Sequence, residues 1–260
     1  PDRRENQGEI EAAANGSLPK SIVADDIQGM VHCHTTYSDG QNTVEEMARA
    51  AEALGMRYIT FTDHSPTASY AGGVKIDRLR AQWEEIDRVQ ERVRIKLLKG
   101  TESDILEDGL LDYPDYILEK FDVIIASIHA RHKMNADQMT ARLVRALKLP
   151  LFKIWGHPLG RLIESRPPFE CRMDEVLDAV AASRAAIEVN GDPRRLDLEP
   201  RWIRAARQRG IKFVVSTDAH SIKNLENLPY GVAMARRGWL SRDDILNTMP
   251  VEDFMHSVHP

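Results

Sequence analysis

The chain is short of several things, and each shortage excludes a class of protein. Its 260 residues include two cysteines, Cys33 and Cys171, too few for a disulfide framework, which suits a reducing compartment. No apolar run approaches the ~20 residues that span a bilayer, and the N-terminus lacks the apolar core of a secretory signal. A soluble, cytoplasmic protein is the expectation. Positive charge is also in deficit, with 35 Lys and Arg against 40 Asp and Glu, a formal net charge of -5. Global charge therefore gives no attraction for nucleic acid or an anionic membrane, and any affinity for a polyanion has to be local. Internal repeats and low-complexity tracts are missing too. What is present is 42% hydrophobic content, enough for a substantial core in one barrel-sized domain or two small ones.

The first 26 residues are polar and aperiodic and are expected to be a lead-in or linker remnant ahead of a domain at 27–260. Short β-rich runs then alternate with amphipathic segments. Strands are predicted at 30–34, 57–64, 95–103, 122–129, 153–158, 185–191 and 212–220. A helix is predicted from Thr43, placed as an N-cap, to Gly55, placed as a stop. A longer helix follows from the spacing of Leu79, Trp83, Ile86, Val89 and Val93, and others are expected near 136–148, 173–183 and 199–209. A last short helix should begin near Ser241, with Asp244 as capping partner. Seven strands alternating with helices imply a parallel sheet, either doubly wound or closed as a barrel.

The histidines carry the chemical signal. Of nine in the chain, six lie at or just past the end of a predicted strand: His32, His34, His64, His129, His157 and His220. Glu102 follows the third strand, Asp218 the seventh, and Asp39 lies in the turn after the first. In α/β barrels the functional face is the one formed by C-terminal strand ends. His32 and His34 are two apart, so both project to one side of a strand while Cys33 projects to the other as a packing residue; Asp218 and His220 share that spacing. A lone strand-end histidine is ordinarily a satisfied polar residue. So many buried ionisable groups without a metal would be costly, and the ensemble points to a metal centre. Asp63 is read either as a helper that orients a ligand or as a turn residue. His132 is read as facing solvent or substrate with equal weight, and His256 and His259 as lying outside the chemistry. Asn190-Gly191-Asp192-Pro193 is a turn signal that opens onto the same rim.

These residues resemble the polymerase and histidinol phosphatase (PHP) superfamily. The motifs that carry the likeness are HCHTTYSDG (32–40), TDHS (62–65), GTESDI (100–105), SIHARH (127–132), GHP (156–158) and STDAHS (216–221). They run in the family's order over residues 29 to 230. The segment 190–210, NGDPRRLDLEPRWIRAARQRG, is similar to the C-terminal PHP domain of bacterial and archaeal family X DNA polymerases.

The resemblance implies a distorted (β/α)7, TIM-like barrel with a three-ion site at the C-terminal ends of the strands. His32, His34, Glu102 and Asp218 would hold the first ion; Glu102 would bridge to a second, completed by His129 and His157; Asp39, His64 and His220 would hold the third. Manganese or zinc suits such imidazole and carboxylate sets, with iron a further candidate. The implied chemistry is hydrolysis of a phosphate ester by in-line attack of an activated water. Glu102, Arg131 and Asp63 are the catalytic candidates, and Arg131, Arg194 and Asn190 the substrate-binding ones. The substrate implied by the polymerase likeness is a DNA 3′ end, cut as a 3′–5′ exonuclease would cut it, with an upstream polymerase module as a possible partner. The alternative is a small phosphate ester of the histidinol phosphate type. A metal-free structural module and an amidohydrolase barrel are the readings from other classes. The first conflicts with the complete ligand set, and the second would want an eighth strand and a bridging lysine.

Overall fold

Seven short runs rich in apolar and β-branched residues become strands: β1 (Gly29–Cys33), β2 (Tyr58–Phe61), β3 (Lys96–Asp104), β4 (Val123–Ser127), β5 (Ile154–Trp155), β6 (Ala186–Asn190) and β7 (Phe213–Ser216). The structure, a computed structural model, describes residues 3–260. The strands form one sheet in sequence order, and each neighbouring pair is parallel. Parallel neighbours need a crossover between them. Behind α1 (Glu9–Ala14), the crossovers carry α2 (Val44–Ala53), α3 (Ile76–Gln90), α4 (Asp115–Leu118), α5 (Ala136–Lys148), α6 (Met173–Ala181) and α7 (Pro200–Gln208). After β7 come α8 (Ile222–Leu225), α9 (Leu228–Arg237) and α10 (Val251–Val258). This is the expected distorted (β/α)7 barrel, nearly closed.

The helix starts follow local chemistry. Thr43 Oγ1 accepts from the Glu46 amide at 3.3 Å, and the Glu46 carboxylate accepts from the Thr43 amide at 2.8 Å. This reciprocal cap satisfies two orphan donors of α2. Asn135 and Gln138 repeat the device ahead of α5.

Alternation along the strands sorts side chains into two cores. Met30, Ile59, Phe61, Leu97, Ile124, Trp155, Ile187 and Val215 belong to the larger cluster that includes the helices. Val31, Tyr58, Leu98, Val123, Ile125, Ile154, Ala186 and Val214 form a second cluster inside the barrel. Phe254 of α10 joins them and stacks on Tyr58 at 4.8 Å, closing the N-terminal end. One step further up, the interior narrows. A Cβ on Gly100 would meet the Thr60 methyl at 2.6 Å, and one on Gly156 would meet Ser127 Oγ at 2.3 Å. Glycine is what lets β3 approach β2, and the residue after β5 approach β4, this closely beneath the polar rim.

Two irregularities position the site. Met30 pairs with Ile59 and Cys33 with Phe61, so β1 carries one residue more than β2 over this stretch. This bulge lets Val31 face the inner core and His32 also face inward, where strict alternation would turn it away. The second irregularity is the seam between β7 and β1. At the rim it closes directly: the His34 amide donates to Ala219 O at 2.8 Å and the Ala219 amide to His32 O at 3.0 Å. Lower down, residues 245–247 stand in for an eighth strand. Ile245 bridges Phe213, and Asn247 accepts from the Val215 amide at 2.9 Å while donating to Gly29 O at 2.9 Å and Val215 O at 2.8 Å.

The sequence expectations need three corrections here. The lead-in is not featureless: α1 forms within it, and Ile22 is fully buried in the main core. Ser241 and Asp244 do form a capping box, but on a single 3-10 turn (Arg242–Asp244), and the helix proper is α10, further on. The helix α9 went unpredicted because Pro229 and Gly231 in its opening residues look like a break; proline is at home in the first turn.

Candidate metal centre

The nine histidines and carboxylates singled out in the sequence converge at the upper ends of the strands. Glu102, buried on β3, sits at the middle. Its Oε1 lies 2.7 Å from His157 Nε2 and 3.2 Å from His129 Nε2. Its Oε2 lies 3.4 Å from His32 Nε2, 3.5 Å from His34 Nε2 and 3.0 Å from His64 Nδ1. Asp218 Oδ1 stands 3.5 Å from His32 Nε2 and 3.3 Å from His34 Nε2. At the outer edge, Asp39 Oδ1 is 3.5 Å from His64 Nε2 and 3.3 Å from His220 Nε2.

Most of these separations are too long for good hydrogen bonds. They are the right size for something else: donors about 2.0–2.2 Å from one tetrahedral ion lie roughly 3.3–3.6 Å from each other. The donor atoms fall into three groups, within each of which they lie no more than 4.8 Å apart: His32, His34 and Asp218; His64, Glu102 and His129; and His34, Asp39, His64 and His220. His157 adds to the middle group through Glu102. His34 Nδ1 and Nε2, His32 Nε2, His64 Nδ1, His129 Nε2 and Glu102 Oε2 are buried without a hydrogen-bond partner. Buried polar atoms are almost always satisfied, so an orphaned set of this kind, pointing inward, fits divalent cations. Asp104 on Nδ1 of His129 fixes which ring nitrogen faces inward.

Electrostatics say the same. Burial alone would raise the Glu102 pKa, but His129, His32 and His64 hold it well below the usual carboxylate range. Burial, with His220 and His64 nearby, drives His34 down to about 3, keeping it a neutral imidazole with a free lone pair. His129 is pushed the other way, to about 10, because Glu102 and Asp104 outweigh its burial. Cations would relieve that tension by taking the place of protons.

A family model described as "PHP domain" matches residues 31–192. The chain belongs to the PHP domain family. As a member it is a metal-dependent hydrolase of phosphate esters. It is 37% identical over 254 residues to the DNA polymerase/3'-5' exonuclease PolX of Bacillus subtilis, covering 97% of this chain and 44% of that protein. It thus spans less than half the length of that relative. A Thermoanaerobacter sp. protein named as a probable phosphatase is 29% identical over 229 residues, covering 84% of this chain and 89% of the other. Among solved structures, the histidinol phosphate phosphatase of Lactococcus lactis, complexed with zinc, L-histidinol and phosphate, aligns with a TM-score of 0.57 at 17% identity, covering 79% of this chain and 92% of that one.

Not every residue expected at this PHP rim is there. Arg131 is two-thirds exposed and pairs with Glu107 at 3.2 Å; the loop after β4 turns it away from the cavity. Asn190 is fully buried, and its amide donates to Glu188 at 3.1 Å and to Asp218 at 3.2 Å. Asp63 is saturated by Thr35, Ser38 and Gln82 and anchors the loop that carries Asp39. Arg194 lines the cavity but is 73% exposed and paired with Asp192. Its neighbour Arg195 is 13% exposed, donates from Nε to Asp218 Oδ2 at 3.0 Å, and lines the cavity. Sequence reasoning missed Glu188 and Tyr70: the first is an internal strand residue, the second an unremarkable loop residue, and neither carries a spacing signal. His132 is half-buried beside Phe169. Cys33 packs in the outer core, as expected from its facing.

Proposed function

We propose that this chain removes nucleotides from DNA 3′ ends, as a metal-dependent 3′–5′ exonuclease or end-processing phosphodiesterase. The observation that carries this reading is the 37% identity to the polymerase/exonuclease over nearly the whole chain. The cavity over the donor cluster, about 480 Å³, is of the size that ligand sites have. Its rim offers two contacts suited to a nucleotide. Arg195, already oriented by Asp218, presents a guanidinium to a non-bridging phosphate oxygen. Tyr70, 72% exposed, holds its ring 6.3 Å from His64 and 6.5 Å from His129 and offers a face on which a terminal base can stack.

The residues that would hold divalent cations are His32, His34, Asp39, His64, Glu102, His129, His157, Asp218 and His220, with three ions as the proposed complement. Such cations supply charge for the phosphate oxygens and a nucleophilic water at neutral pH. The chain's own residues hold the phosphate in line, with Arg195 on one oxygen, so that water oxygen attacks phosphorus and the P–O3′ bond breaks. The leaving oxygen takes a proton and becomes the new 3′ hydroxyl, and a 5′-mononucleotide is released.

The test is digestion of a 5′-labelled oligonucleotide with manganese, run beside histidinol phosphate. A ladder of products shortened one nucleotide at a time is expected. Rapid hydrolysis of the monoester with the oligonucleotide untouched would replace this reading with a small-molecule phosphatase.

A further inference from the structure

Glu188 stands on β6 with no exposed surface, one strand position below the rim. Its Oε1 lies 2.6 Å from His32 Nδ1 and accepts from Ser216 Oγ at 2.5 Å. Its Oε2 accepts from the His157 backbone amide at 2.5 Å and from Asn190 Nδ2 at 3.1 Å. Each oxygen already has two partners, so the carboxylate has no capacity left for a cation. It belongs to the wall behind the cluster.

What it touches gives it a role. His32 faces the Glu102 Oε2 and Asp218 side of the cluster, and His157 faces Glu102 Oε1. When Nδ1–H of His32 points at Glu188, the lone pair is left on Nε2, the atom that is buried and unpartnered among the carboxylates. At His157 the backbone turns through a left-handed φ of 26°, a conformation that a histidine adopts only when its surroundings enforce it. The hydrogen bond that the His157 amide donates to Glu188 is such an enforcement. We infer that Glu188 is a positioning residue that sets His32 and His157 together, so that the two ion sites sharing Glu102 are aligned by one carboxylate behind them. The inference rests on the metal-centre reading proposed above.

Glu188→Gln separates this role from simple packing, because it keeps the shape and replaces one oxygen with NH2. If the NH2 faces His32, the ring must accept at Nδ1, which puts a proton on Nε2 where a lone pair is required. If it faces His157, two N–H donors oppose each other. Either way the fold keeps its volume while a ligand is lost or moved. The experiment measures zinc affinity by competition with a graded chelator, together with kcat at rising manganese, for wild type, Glu188→Gln and Ser216→Ala. The variant should bind zinc roughly 10–100-fold more weakly, with an unchanged circular dichroism spectrum in the metal-free state, and excess manganese should restore much of its kcat. Ser216→Ala, which removes one donor and leaves the charge, should weaken zinc by a smaller factor. It also decides the matter if Glu188→Gln does not fold.

A wild type that holds no metal would sink the metal-centre reading itself. A wild type that holds metal beside a folded Glu188→Gln of equal affinity would overturn this inference alone. Activity lost with full metal retention, or Ser216→Ala indistinguishable from wild type when Glu188→Gln does not fold, would overturn it equally.

Discussion

At the scale of single residues, the centre turns on how many donors each carboxylate oxygen meets. Glu102 differs from the rest because its two oxygens face different histidines. Placed in this way, Glu102 would screen two cations from each other as well as hold both. Glu102→Gln keeps one oxygen and turns the other into a donor, so it should lose metal by at least about 100-fold and nearly all activity. Cys33→Ala is the control, on β1. Its thiol lies in the outer core, where burial pushes its pKa up and keeps it from serving as a thiolate. Its removal should cost about 1 kcal/mol of stability and leave metal content alone. Metal analysis and urea melts on the two variants check both statements. A Cys33→Ala protein stripped of metal would mean that β1 presents its faces the other way round.

Among the elements, β1 and the seam beside it hold the rim in place. Asn247 makes three hydrogen bonds there with backbone groups that have no strand partner. Asn247→Ala would leave buried backbone groups unpaired, each worth about 1–3 kcal/mol. We expect a loss of roughly 3 kcal/mol or more in urea, with metal content unchanged at low temperature because the rim closes through its own backbone bonds. Stability equal to wild type would mean that water or a shifted 245–247 segment replaces the amide. The same elements show what could be read in advance. Every strand was legible, because each is a short β-rich run and all but β6 lead into a histidine or carboxylate of the cluster, and the pairing of His32 with His34 followed from a period of two. The bulge in β1 was not legible: it depends on the register against β2, which no local pattern records. The eighth-strand substitute was hidden for a related reason, since Ile245–Asn247 is too short and too polar to look like a strand. The arginines show the limit most sharply. Arg131, Arg194 and Arg195 are chemically identical in the sequence, and only the turn after β4 and the Asp218 contact send one outward and another inward.

For the molecule as a whole, the question is how a chain of net charge -5 would hold a polyanion. Most of its arginines are already committed: Arg201 to Glu199, Arg207 to Asp244, Arg209 to Asp174 and Asp178, and Arg237 to Glu5. Arg131 belongs with them through Glu107. The basic residues that line the cavity are Arg194 and Arg195. A backbone laid over this rim would therefore meet one or two arginines, and not a basic track. On single-stranded DNA each neutralised phosphate contributes about -0.7 to the slope of log affinity against log salt, so a slope of roughly -0.7 to -1.4 is expected. Arg195→Ala should reduce the slope by about one such step and raise KM roughly tenfold or more, the value of a charge-assisted bond. Arg131→Ala should change neither. The measurement is oligonucleotide binding by fluorescence anisotropy between low and moderate salt, with calcium in place of the catalytic ion so that the strand stays whole. A slope much steeper than this would reveal basic contacts beyond the cavity. A flat one would show that the ions alone carry the phosphate, and that the chain reaches DNA one terminal nucleotide at a time.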